Sequence, residues 1–440
     1  MKSRPFLEFK KPNFLNIAQL FFNLGIFLLP LRFRSLLYAG DAYSHGFFNE
    51  YLAFFLHASE ICFFFSLLSV GLAFVFREIN SQSFAQNLEI PSQKLLLPFL
   101  LLLTTSILTV PLAESPFLAL LHFFRTLEFA LLAFFVVTKI FDLHAVLRIL
   151  FISISLQALL AITQFFAKGE LGLHFLGESF FTTETFNVAK TVLPSGEVLV
   201  RGMGTLPHAN ILGGISAITL LFLASYSRKN ILNYFTAFLI FVGMFFSFSR
   251  AALLSFFIGI SILLIFQFRR RIVSTMIVAV IFLVLIMNFG LSFFARVESS
   301  SEIPTRFNQI QQALNISSEN IFGLGKGSYT VALAQAQPDL QFWQLQPVHN
   351  FFLLKMTEES VLVALAWISI FGFLAWWSFQ KKKFEALSVL TAIFLLANFD
   401  HYFSTNFTAE ALLWLALAFV VVELSEGKPK FEKNKILSQR

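Results

Sequence analysis

Apolar runs about twenty residues long recur along almost the whole chain, and no other feature restricts its fold so strongly. Wound as a helix, each such run is long enough to cross roughly 30 Å of hydrocarbon. The runs fall at 14–31, 50–76, 95–112, 117–138, 146–166, 210–226, 231–248, 251–268, 272–294, 351–379, 384–399 and 408–424. They predict an all-α polytopic membrane protein with about 12 transmembrane helices. Strands of a membrane barrel would need only about ten residues, so the run length argues against a barrel. Hydrophobic residues make up 57% of the 440 and charged residues only 13%, too few to coat a soluble protein of this size. The first run reaches Pro30 and Arg32 with no small-residue cleavage site after it, and reads as a retained helix rather than a leader. The single cysteine, Cys62, excludes an intrachain disulfide and a cysteine-rich metal site.

Cations give the orientation. With both termini in the cytoplasm, the cytoplasmic segments hold Lys2, Arg4, Lys10 and Lys11, then Arg77 and Lys94, Lys139 and Arg148, Arg228 and Lys229. Arg269 to Arg271, Lys381 to Lys383 and the basic tail follow. The opposite loops carry fewer, mainly Arg32, Arg34, Lys168, Lys190, Arg201, Arg296, Arg306 and Lys326, as the positive-inside rule requires. The chain then divides into transmembrane helices 1–5 over 1–166, an outer loop at 167–209, helices 6–9 over 210–294, a large outer loop at 295–350, helices 10–12 over 351–424 and a basic tail at 425–440. Within the large loop, Phe307, Ile310 and Leu314 are spaced for one apolar face of a short surface helix. The net charge of +7 is thus explained by orientation: the lipid bilayer is the expected partner, and nucleic acid is not. With no G-x-x-x-x-G-K-[ST] loop in the chain, an ATP-driven machine is not expected.

The residues suited to chemistry are cations on the outer side. Arg250 lies in FSFSRAALL at the turn between the seventh and eighth runs, where a charge must reach the interface, a wet cavity or an anion. Arg201 in VRGMGTLPHAN, Arg306 in TRFNQ and His349 in PVHNFF lie at outer helix ends or in adjoining loops. Singly, each arginine reads as a residue snorkelling to headgroups and His349 as an interfacial histidine. Together they would form a basic pocket for a pyrophosphate, in which His349 takes a proton from an attacking hydroxyl. Lys355 with Glu358, and Arg125 with Glu128, read as neutralising pairs three residues apart on one helix. Asp400 and His401 are expected to pair with a loop cation or to form a cavity wall. The eight histidines show no H-x-x-x-H spacing, so neither a metal site nor a cofactor is expected. A secondary transporter or lipid-glycan flippase is the alternative from another class. It would show paired charges and broken helices in both halves, and no such symmetry is visible.

Four segments resemble the O-antigen ligase and polymerase superfamily: RGMGTLPHANILGG (201–214), FSFSRAALL (246–254), TRFNQIQQALNISSENIFGLGKGSY (305–329) and HNFFLLKMTEES (349–360). The resemblance covers about residues 200–360. It implies a fold similar to the metal-independent glycosyltransferases of the C type. The implied activity moves an undecaprenyl-pyrophosphate-linked glycan to a lipid or glycan acceptor, with inversion, at the outer face of the bacterial inner membrane. Ligase and polymerase share these motifs. On this likeness Arg250, Arg306 and His349 are catalytic, and Arg201, Asn350 and Glu358 contact substrate. Ser360 stands where the family usually has glycine.

Overall fold

The computed structural model describes residues 13–43, 46–79, 92–186, 188–192, 195–226, 230–267 and 302–425. The expected helix at 272–294 and the basic tail lie outside the described residues, as do the cations at 2–11, 228–229 and 269–271.

Every apolar run within the described residues forms helix. Six helices are long and apolar enough to cross a membrane: α2 (Ala58–Val75), α4 (Pro116–Val137), α5 (Leu143–Ala167), α6 (Ala209–Tyr226), α12 (Val361–Gln380) and α15 (Phe407–Ser425). The shorter apolar helices are α1 (Phe14–Leu28), α3 (Ser92–Thr109), α7 (Ile231–Phe246), α8 (Arg250–Gln267) and α13 (Phe384–Phe399). Together they make a multi-pass membrane protein. Side chains of Asn13, Asp142 and Asn230 cap α1, α5 and α7 by accepting from backbone N–H groups of the first turn.

Two runs differ from their expected form. In 50–76 the helix begins only at Ala58, because strand β2 (Phe54–His57) pairs antiparallel with β1 (Arg34–Tyr38), setting Arg34 opposite His57. The Glu60 carboxylate accepts from the His57 amide at 3.3 Å and starts the helix there. Run 351–379 is broken into α11 (Phe351–Glu358) and α12, with Ser360 at φ +125° between them. The chain is therefore mostly helical rather than purely so, since a second hairpin, β3 (Lys190–Val192) and β4 (Val198–Val200), lies in the first long loop. The second long loop folds as α9 (Glu302–Glu319) and α10 (Tyr329–Ala336). Helix α9 leaves Phe307 70% and Leu314 46% exposed. The four-residue α14 (Tyr402–Thr405) links α13 to α15.

The core is built around α15. Every residue from Phe407 to Leu424 is buried, as is most of α6, and Phe222 packs on Phe419 with ring centroids 4.8 Å apart. A helix apolar on all sides has to be enclosed by others. Small residues allow the close approaches: a Cβ on Gly213 would come within 2.7 Å of Ser247 Oγ and Ser249 Cβ, so α6 touches the turn that opens α8.

Candidate active site

At the bundle end that carries both long loops, a cavity of about 680 Å³ opens between helix ends and loop segments. The chain before β1, the β1–β2 hairpin, the 205–211 turn before α6, the 343–349 segment and the 400–408 link between α13 and α15 form its walls. His208, His349, His401 and Asp400 face into it.

The cluster is organised by the C-terminal end of α13. Asp400 Oδ1 lies 3.5 Å from His349 Nδ1 and accepts from the His401 amide at 2.8 Å. Asn210 Nδ2 donates to Asp400 Oδ2 at 3.2 Å, and Arg201 in turn donates to Asn210 Oδ1 at 2.5 Å. Burial alone would raise the Asp400 pKa. The contact with His349 and the neighbouring imidazoles of His401 and His208 outweigh it and hold the carboxyl well below its usual range. Burial pushes His401 down to about 4, against the pull of Asp400, so its ring is uncharged at neutral pH. The His401 ring lies 5.1 Å from that of His349, and its Nδ1 is 2.8 Å from Thr405 Oγ1. An imidazole facing an ionised carboxylate through Nδ1 presents Nε2 as an acceptor, which is what a general base needs.

The other sequence-predicted residues gather around the same helix end. Arg306 Nη1 donates to the Phe399 carbonyl at 3.4 Å, a cation at a helix C-terminus. Asn350 caps α11 and donates to the Asn398 carbonyl at 3.3 Å. Arg250 opens α8, which runs antiparallel to α13: Ser388 Oγ bonds the Gly259 carbonyl at 2.8 Å, and Phe266 stacks on Phe384 at 4.7 Å. Counting nine residues back from Gly259 and nine on from Ser388 sets Arg250 level with Ala397, beside the same end. Arg201 is buried behind the wall, with Nε donating to the Ser247 carbonyl at 2.7 Å, so it ties the turn before Arg250 to Asn210. Among the six residues singled out, His349 and Glu358 line the cavity itself.

Glu358 is not half of an i,i+3 pair. Its carboxylate accepts from the amides of Gly327 at 3.0 Å and Tyr329 at 3.3 Å, while Lys355 pairs with Glu359. The FGLGKGSY loop is stitched to α11 in this way, with Gly323, Gly325 and Gly327 all at positive φ. Lys326 from that loop reaches Glu410 of the core helix at 2.9 Å. Arg125 likewise pairs with Glu60, at 2.8 Å, rather than with Glu128. The fold pairs these ions between elements, which spacing along one helix cannot reveal.

One ring nitrogen each from His349 and His401 and an Asp400 oxygen lie within 4.8 Å of one another, a donor set of the kind that takes a divalent ion. No metal-ligand spacing appears in the sequence because His349 and Asp400 sit on different elements. Sequence reasoning gave no site role to Arg32, Arg34 and Glu50, which also line the cavity. For Asn210 and His208 a signal existed: both lie within the TLPHAN stretch.

These features define a multi-pass membrane protein with a histidine-lined, cation-rich cavity between its long loops and its helix ends. Residues 235–358 match the O-antigen ligase family, so this stretch of the chain is similar to that family. The matched stretch includes Arg250, Arg306, His349, Asn350 and Glu358, while Arg201 and Asp400 fall outside it. None of the curated proteins matches the chain.

Proposed function

We propose that the protein transfers an undecaprenyl-pyrophosphate-linked glycan to an acceptor hydroxyl at the outer face of the bacterial inner membrane, as a ligase does. The observation that carries this reading is the convergence of His349, Asp400, Arg306 and Arg201 on one helix end beside the cavity, with Arg250 level with it. Arg250 and Arg306 grip the pyrophosphate and stabilise the charge it gains as it leaves. The acceptor oxygen forms a bond to the anomeric carbon as the bond from that carbon to the pyrophosphate oxygen breaks. The hydroxyl proton passes to His349 Nε2, while Asp400 holds Nδ1. Direct displacement inverts the anomeric centre. The reaction is read as one without metal, as the family resemblance implies.

The test is transfer of a radiolabelled undecaprenyl-pyrophosphate glycan by purified protein in liposomes, with and without EDTA. Wild type is compared with Arg250→Ala, Arg306→Ala, His349→Ala and Asp400→Asn. Asp400→Asn is expected to lower kcat on the order of 10²-fold, the scale of a misdirected general base. One discrete conjugate indicates a ligase and a ladder a polymerase. Unimpaired transfer by the Arg250 and Arg306 variants would sink the proposal. Movement of labelled lipid between leaflets without any product would instead favour a flippase.

A further inference from the structure

Facing the helix end that carries His349, the cavity has a second charged wall, made by the N-terminal hairpin and outside the family match. Arg32 and Arg34 both hold Glu50: Arg32 Nη2 at 2.9 Å from Oε1 and Arg34 Nη2 at 2.7 Å from the same oxygen, with further contacts at 3.2 and 3.1 Å to Oε2. The clamp is fixed from both sides. Arg32 Nη1 donates to Ser179 Oγ of the first long loop at 2.8 Å. The Arg34 guanidinium lies 3.9 Å from the centroid of the Phe55 ring, and the Phe55 carbonyl is held by Arg125 at 2.5 Å.

Two guanidinium groups on one carboxylate leave one net positive charge. They also leave donors to spare, since these five contacts draw on groups that together offer ten N–H bonds. Both arginine side chains are only 20% exposed. Burial pulls the Arg32 guanidinium below its usual range despite Glu50, and the Arg34 charge adds to that pull; an anion bound here would oppose it. Tyr51, next to Glu50 in the chain, packs edge-on to His401 at 6.2 Å, and His401 is 5.1 Å from His349. The clamp is thus a short run of sugar rings away from the proposed base.

We infer that Arg32, Arg34 and Glu50 form the acceptor subsite, and that the acceptor is a glycan bearing a phosphoryl or carboxylate group close to the hydroxyl that receives the transferred chain. The inference rests on the transferase reading for its place in the reaction. The arginines take the anionic group in a bidentate fork, and Glu50 fixes the spacing of the two forks. The donor pyrophosphate keeps Arg250 and Arg306 beside the C-terminal end of α13, so each anion has its own pair of arginines.

The experiment uses the full chain in lipid nanodiscs and two probes: lipid A carrying a short oligosaccharide core phosphorylated on its sugars, and its counterpart without those core phosphates. Binding is read by native mass spectrometry and transfer by the labelled-donor assay. Wild type is expected to bind the phosphorylated core about tenfold more tightly, a preference that falls to near unity in Arg32→Gln/Arg34→Gln. Donor binding, measured without acceptor, should stay at the wild-type level in that variant. Because Arg34 also packs on Phe55, Glu50→Gln serves as the second variant: it keeps both arginines and adds one net charge, and should tighten the phosphorylated core severalfold. Equal binding of both probes by wild type, or a preference that survives loss of both arginines, overturns the subsite. A failed transferase reading looks different: no product from either probe while the arginine-dependent preference in binding persists, which supports the site as an anionic-glycan clamp.

Discussion

His401 is buried beside an ionised carboxylate yet stays uncharged at neutral pH, because desolvation and the rings of His349 and His208 outweigh the attraction of Asp400. Its proton affinity therefore differs between the folded and unfolded chain. Unfolded, the imidazole titrates near 6.5; folded, it does so at about 4. Between those values the unfolded state binds more protons, so stability rises with pH across the window and is lost as pH falls from about 6.5 towards 4. The full difference has an upper limit of about 3 kcal/mol. Asp400, held below its ordinary range, adds a loss of the same sign only at lower pH. His57, also lowered by burial, contributes in the same upper window. Thermal denaturation of the detergent-solubilised protein from pH 7.5 to 4.5 should therefore show a steady decline. His401→Gln should flatten part of that slope and leave the share due to His57. An unchanged slope in the variant would mean that His401 is charged in the folded protein.

At the scale of elements, the break between α11 and α12 sets the geometry of the site. It ends α11 at Glu358, whose carboxylate and carbonyl hold the 323–329 loop, and α11 begins directly after His349. The break is made by Ser360 at φ +125° and ψ 163°, a conformation open in practice only to glycine. Its side chain caps α12 by accepting from the Val363 amide at 3.3 Å. Ser360→Gly removes a strain of about 1–3 kcal/mol and a cap whose loss to glycine costs only a few tenths. The variant should therefore be more stable by roughly 1 kcal/mol, seen as a higher midpoint in thermal unfolding at unchanged transfer activity. A fall in the midpoint would show that the cap matters more than the strain. The apolar runs were legible because each helix has to be apolar along its whole length. The strand at Phe54–Leu56 was not, since those residues are as apolar as the helix that follows. The position of Ser360 was marked only through resemblance, because no local pattern in KMTEESVL announces a positive φ. In the site, His349 and the arginines stood out by their place at helix ends. Asp400 and His401 were also marked, as wall residues at a helix end, but the pairing of Asp400 with His349 was not, since it depends on how α13 ends beside α11, and the charge partners of Arg125 and Lys326 come from distant helices for the same reason.

At the scale of the whole molecule, orientation decides which compartment supplies the substrates. A plain count of cations is blunted by those at the loop-bearing end. Most of these have partners within the protein: Arg32 and Arg34 share Glu50, Lys168 pairs with Glu197 at 2.5 Å on the surface, Lys326 with Glu410, and Arg201 donates to Asn210 and a carbonyl. At the other end Lys139, Lys381 and Lys382 lie in the connections after α4 and α12, and Lys381 donates to the Leu424 carbonyl at 2.9 Å; cations in such short connections mark a cytoplasmic side. The loop-bearing end is therefore predicted to face outward. In a Cys62→Ala background, Glu184→Cys places a thiol on an exposed position of the first long loop, and Gln380→Cys places one at the exposed end of α12. A membrane-impermeant maleimide should label the first in intact spheroplasts and the second only after lysis. The reverse pattern would put His349 and the cavity in the cytoplasm. A lipid-linked glycan would then have to be used before it crosses the bilayer, and the transfer proposed here could not take place at the outer face.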